Sequence, residues 1–211
     1  MEELERFERA LRLVERYEGY LFRRALGVAL IVCGISFPLI AFLIFRAQSI
    51  AALLNMSVEA FLAFAPTLIL LISTAIIIYT FTSAHVVTSR MREDSFWKDF
   101  PHMVVMFLVW FLSFYFTKYV PEPYYRISWL WAGGFASLVS YLFLKREPDH
   151  WNYPVLLMVG IVCIVSSLPL LLIKDAQLVT TFSFLVFSLS FIAGGIYSII
   201  GASKVLGENN K

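Results

Sequence analysis

The side chains that could perform chemistry in this 211-residue chain are few, and its three histidines come first. His85, His102 and His150 fall at the ends of apolar runs, on the side of a membrane that we expect to be cytoplasmic. Three imidazoles can bind zinc and leave a fourth position for a catalytic water, as in a metal-dependent hydrolase. No two of them have the i,i+4 spacing of a helical metal motif. We therefore assign no catalytic residue, no metal site and no cofactor.

Motifs for a nucleophile or a phosphate are missing as well. The sequence has no G-x-S-x-G, no P-loop and no C-x-x-C, so covalent catalysis and phosphate binding are not indicated. The long apolar runs also contain no Asp, Glu, Lys or Arg between their ends. Because ion pathways and proton relays use intramembrane charges, an ion-coupled pump is disfavoured, and a neutral or lipid-like substrate stays open.

Small residues recur at helical spacing in two of the apolar runs and predict close helix packing. Ala132-Gly133-Gly134-x-x-Ser137 returns later in the chain as Ala193-Gly194-Gly195-x-x-Ser198. Faces of this kind let helix backbones approach each other in a membrane. The predicted helix-packing residues are Ala132, Gly133, Gly134, Ser137, Ser190, Gly194, Gly195, Ser198 and Ala202.

The repeated sequence motif has two explanations. Ile78-Tyr79-Thr80 also resembles Ile196-Tyr197-Ser198, so three helical hairpins in the same orientation could derive from one ancestor, as parallel repeats do in some transporters. Alternatively, the matches arise by chance, because runs built from few residue types contain many short similarities. The sequence leaves both explanations open.

The connection 86–100 mixes charges of both signs with aromatic residues. This composition fits an amphipathic segment that rests on the bilayer, and it also fits a docking surface, since aromatics and arginines are enriched at interface hot spots. The predicted partner-docking residues are Arg90, Arg92, Phe96, Trp97 and Phe100.

Residues 1–24 predict an amphipathic helix that contributes to the same surface. Leu4, Phe7, Leu11 and Val14 are three and four residues apart, which places them on one helix face. Glutamates precede arginines by four residues on the other faces, and this mixed charge disfavours simple binding to anionic lipid. Pairing with another helix is the preferred interpretation.

The composition is that of a membrane protein. Hydrophobic residues make up 60% of the chain and charged residues 15%, against roughly 25% charged residues in soluble domains. We expect an all-α, polytopic, six-transmembrane-helix bundle with a cytoplasmic amphipathic helix at 1–24, a membrane domain at 25–206 and a cytoplasmic tail at 207–211. The predicted spans are about 25–45, 64–84, 101–118, 127–144, 152–173 and 180–203, each near the length that crosses a bilayer.

The distribution of lysine and arginine predicts the orientation, since cytoplasmic loops carry an excess of both. If both termini are cytoplasmic, only four of the seventeen basic residues lie outside: Arg46, Lys118, Arg126 and Lys174. We therefore expect an integral protein of the cell membrane with its N- and C-termini in the cytoplasm.

The order of elements is similar to that of small permease subunits of ABC exporters, which have an interfacial N-terminal helix, six spans and a cytoplasmic coupling segment after the second span. The likeness lies in this order and in no motif. The leading hypothesis is a non-catalytic membrane subunit of a larger assembly, permease-like for a neutral or lipid-like substrate. The alternatives are a membrane scaffold or assembly protein without transport activity and a membrane-embedded metal-dependent hydrolase. Expected partners are the lipid bilayer, a cytoplasmic protein and a second copy of the chain, with no nucleic acid.

Overall fold

The computed structural model describes residues 2–92, 104–105, 108–113, 115–122, 124–144 and 154–207. Of these residues 92% are helical, and no strand occurs among them. The predicted all-helical class is therefore confirmed. The α-helices whose bounds lie within the described residues are α1 (Glu2–Phe45), α2 (Ala47–Leu53), α3 (Val58–Arg92), α4 (Ser128–Leu144), α5 (Pro154–Leu170) and α6 (Ala176–Gly207).

Three of these helices are long and apolar enough to cross a membrane, judged by length and composition. They contain the stretches Arg16–Phe45 in α1, Val58–Val87 in α3 and Ala176–Lys204 in α6. Helix α5, with 17 residues, is apolar but shorter. Residues 108–113 are helical too, and they fall inside the span expected at 101–118.

The beginning of the chain differs from the expected division into a helix and a separate span. Residues 2–45 form one continuous helix of 44 residues, without a break near residue 24. A second difference is α2, a short helix in the connection between the first two expected spans. Its Ala47 and Ala51 are buried against Phe61 of α3, so the connection is packed onto the bundle.

Polar residues at the connections define where two of the long helices begin. Ser57 Oγ accepts the backbone N–H of Ala60 at 3.2 Å at the start of α3. Asp175 Oδ1 accepts the N–H groups of Gln177 and Leu178, at 2.8 and 3.1 Å, at the start of α6. Both are N-cap interactions, which satisfy donors that the first helical turn leaves without a carbonyl.

Helix α6 is the central element of the bundle. It packs most extensively on α1 and also contacts α5 and α4, while α3 packs on α1 and α4 pairs with α5. The rings of Phe187 and Phe191 stack at a centroid distance of 4.3 Å in the interior. Phe37 of α1 meets Phe187 edge-on, and Trp110 meets Phe191 edge-on. The aromatic pair thus joins the first helix, the last helix and the segment 108–113.

Candidate functional site: the glycine junctions

Gly195 brings the last helix against the first. A Cβ atom built on Gly195 would lie 2.5 Å from the carbonyl oxygen of Gly27 and 2.6 Å from Cγ1 of Ile31. A Cβ on Gly27 would lie 2.7 Å from the Gly195 carbonyl oxygen. Because real Cβ atoms do not come this close to a backbone oxygen, only two glycines allow this approach. We call this contact between α1 and α6 the closing junction.

Two serines of α6 flank the closing junction with hydrogen bonds to α1. Ser188 Oγ donates to the Gly34 carbonyl at 2.6 Å, and Ser198 Oγ donates to the Arg23 carbonyl at 2.8 Å. The residue numbers rise along α1 while they fall along α6, so the two helices are antiparallel. The closing junction therefore combines a backbone contact at its centre with a hydroxyl-to-carbonyl hydrogen bond on each side.

Pro38 explains why the Gly34 carbonyl can accept this bond. In an α-helix the N–H of residue 38 would bond to the carbonyl of residue 34, but proline has no N–H. In a membrane helix such a freed carbonyl needs another donor, and Ser/Thr side chains often supply it. Ser188 is that donor here, from the far end of the chain.

Gly134 and Gly160 make a second backbone contact, between α4 and α5. A Cβ on Gly134 would lie 3.1 Å from the Gly160 carbonyl oxygen, and a Cβ on Gly160 would lie 2.9 Å from the Gly134 carbonyl oxygen. Next to them, Trp131 Nε1 donates to Ser167 Oγ at 2.9 Å. We call this contact the α4–α5 junction.

The other glycine of each predicted pair faces a different helix. A Cβ on Gly194 would lie 2.5 Å from a methyl group of Val159 in α5. A Cβ on Gly133 would lie 2.5 Å from the ring of Phe187 in α6. Adjacent glycines thus allow close packing against two different neighbouring helices, because successive residues of a helix point about 100° apart.

The remaining predicted packing residues are also placed. Ala132, Ser137 and Ala202 are buried, and Ser190 donates to the Val186 carbonyl of its own helix at 2.7 Å. The sequence interpretation missed Gly27, Gly34, Gly160 and Ser188. Gly27 and Gly34 are seven residues apart, as are Ser188 and Gly195, so each pair shares a helix face. A glycine inside a helix is unfavourable unless packing requires it, and that was the available signal.

The predicted docking residues fall largely outside the described part of the chain. Arg90 and Arg92 belong to the last turn of α3, and their side chains are not described. Phe96, Trp97 and Phe100 lie outside the described residues, as do His102 and His150. His85 is buried in α3. Among the described residues, no group of three His, Cys, Asp or Glu side chains is placed to hold a metal ion.

The contacts of this site are glycine backbones, hydroxyls bound to carbonyls and stacked aromatic rings. Comparison of the chain with protein-family models, with curated proteins and with solved structures finds no match.

Proposed function

We propose that this chain is a membrane subunit of a larger, permease-like assembly and that it docks a cytoplasmic protein through the N-terminal half of α1 and the segment 86–100. In this proposal six spans cross the cell membrane, both termini are cytoplasmic and the subunit performs no catalysis itself. The observation that carries it is the length of α1 beyond the bundle.

Helix α1 is too long to lie within a bilayer. Its 44 residues extend over about 66 Å, roughly twice the thickness of the hydrocarbon core. Its apolar stretch begins at Arg16. Because α6 is antiparallel to α1 and Ser198 lies at Arg23, the last residue of α6 reaches only to about residue 14 of α1. The first three turns of α1 therefore extend past α6.

The part of α1 that extends past α6 has exposed apolar side chains. Phe7 is 67% exposed and Leu13 is 60% exposed, and Leu11 is exposed as well. Phe7 and Leu11 belong to the apolar stripe of the sequence, and covering that stripe with a protein partner would remove apolar surface from water. Glutamates and arginines surround the stripe, which favours a protein partner over an anionic lipid surface.

The described part of the segment 86–100 ends close to the level at which α1 extends past α6. Ser36 Oγ and Ser73 Oγ are 2.6 Å apart, and α1 and α3 follow each other in the chain as a hairpin. Counting from this contact, Arg92 at the end of α3 reaches about the level of Tyr17 in α1. The two predicted parts of the docking surface are therefore compatible with one interface.

The test is loss of a bound protein from a folded bundle. We expect Trp97→Ala combined with Arg92→Glu to release a protein that copurifies with the wild-type chain from native membranes, because aromatic anchors and arginines dominate interface energies. Phe7→Ala should release the same protein. Leu185→Ala, at a half-exposed position in α6, serves as the matched control and should release nothing.

Two outcomes would contradict the proposal. If both docking variants insert normally and copurify with the same proteins as the wild type, the segment only rests on lipid headgroups. If Phe7→Ala and the double variant release different proteins, the two parts do not form one surface.

A further inference from the structure

The closing junction and the α4–α5 junction are the same set of contacts made twice. In the closing junction Gly27 meets Gly195 and Ile199, and Ile31 meets Gly195. In the α4–α5 junction Gly160 meets Gly134 and Leu138, and Ile164 meets Gly134. A constant difference in residue number relates each of these residues of α4 to its equivalent in α6, and a second constant difference relates α5 to α1. The same two differences apply to all three contacts.

The correspondence extends one turn further on each side. Gly34 of α1 meets Ile192 of α6, and the equivalent residues Ser167 and Trp131 are joined by a hydrogen bond. On the other side, Ser198 donates to the Arg23 carbonyl. The equivalent pair is Ser137 in α4 and the Leu156 carbonyl in α5.

This last pair is where the two junctions differ. Ser137 is fully buried, and its hydroxyl has no hydrogen-bond partner among the described residues. The α4–α5 junction is also the wider one: the distance from the glycine Cβ position to the facing carbonyl oxygen is 3.1 Å at Gly134, compared with 2.5 Å at Gly195. The closer junction has the serine bond, and the wider one lacks it.

We propose that α4 and α5 have a second, closer arrangement in which Ser137 Oγ donates to the Leu156 carbonyl, as Ser198 donates to Arg23. A buried hydroxyl without a partner is unfavourable, and the closing junction shows that the same motif can accommodate the closer contact. The movement is coupled to α6, because Gly133 on the adjacent face of α4 receives the Phe187 ring. The α4–α5 junction is thus a two-state element that shifts the ring at the centre of the bundle.

An isotope label on the Leu156 carbonyl detects the proposed hydrogen bond directly. Selective labelling with carbonyl-13C leucine and 15N leucine gives a signal for the Leu156–Leu157 pair, which a Leu157→Ile variant identifies by its loss. In bilayers, solid-state NMR should show a component of the Leu156 carbonyl with an additional hydrogen bond, and Ser137→Ala should remove it. The matched control is the Arg23–Arg24 pair, whose carbonyl signal should change in Ser198→Ala.

The same variants test stability. Ser198→Ala should lower the folding equilibrium constant about threefold, the effect of an average interhelical hydrogen bond in a membrane protein. A Leu156 carbonyl signal that Ser137→Ala leaves unchanged, while Ser198→Ala alters Arg23, would overturn the proposal. A Ser137→Ala protein that is more stable than the wild type, with that signal unchanged, would overturn it in the same way and identify Ser137 as a permanently unpaired hydroxyl.

Discussion

Gly195→Leu is expected to prevent folding of the bundle, whereas Gly201→Leu in the same helix is expected to leave it folded. At Gly195 the first carbon of any side chain would lie 2.5 Å from the Gly27 carbonyl oxygen. A backbone oxygen inside a helix cannot rotate away, so α1 and α6 would have to separate. At Gly201 no atom lies within 4 Å of the corresponding position.

The expected size of the effect follows from the cost of overfilling a packed interior. Gly195→Ala should destabilise by about 1–3 kcal/mol, and leucine, which adds three more carbon atoms, by more. Thermal unfolding in detergent, together with the yield of monodisperse protein, measures both. Equal tolerance of leucine at Gly195 and Gly201 would mean that α1 and α6 do not meet through these glycines.

Ser188→Ala is expected to lower the free energy of unfolding by about 1 kcal/mol, because it removes the donor to the Gly34 carbonyl. Pro38 cannot supply the N–H that would normally take its place. Ser203→Ala is the control, since Ser203 Oγ donates to the Ile200 carbonyl of its own helix and is exposed. That change should have a much smaller effect.

A double-mutant cycle isolates the role of the proline. In a Pro38→Ala background the N–H of residue 38 can bond to the Gly34 carbonyl, so the loss of Ser188 should cost much less than it does beside Pro38. The coupling between the two substitutions is the quantity to measure, from denaturant or thermal unfolding of all four proteins. Strictly additive effects would show that Ser188 does not compensate for Pro38.

The sequence predicted the helical class, and it indicated the glycine pairs as candidates for close packing, because both inferences depend on local pattern. A long apolar run without charges can only be a helix in a membrane, and Gly133, Gly134, Gly194 and Gly195 stand out in such runs. The neighbour that each glycine faces was not predictable, since adjacent glycines point to different helices. The bond between Ser188 and Gly34 joins residues 154 positions apart, and no periodicity reveals such a pairing.

Two local features were also beyond the sequence interpretation. The continuity of α1 was missed because the change from a charged amphipathic stretch to an apolar one suggests two elements, although nothing in the chain near residue 24 breaks a helix. Helix α2 was missed because seven residues are too few for a periodic signal. The burial of its Ala47 and Ala51 can be recognised only when Phe61 is known to cover them.

The proposed function requires six crossings with both termini and the docking surface in the cytoplasm. In the proposal two of these crossings are the 17-residue helices α4 and α5, and 17 residues rise about 25 Å, close to the thickness of a hydrocarbon core. Sidedness therefore has to be measured at connections between the proposed spans.

The most direct measurement is labelling of single cysteines in intact cells with a reagent that does not cross the membrane, in a background without Cys33 and Cys163. Cysteines placed at Ser49 and Glu122 should react from outside, and cysteines at Ser95 and Asp149 should react only after the membrane is opened. Reaction of Ser95→Cys or Asp149→Cys in intact cells, with Ser49→Cys and Glu122→Cys protected, would reverse the orientation and contradict a cytoplasmic docking surface.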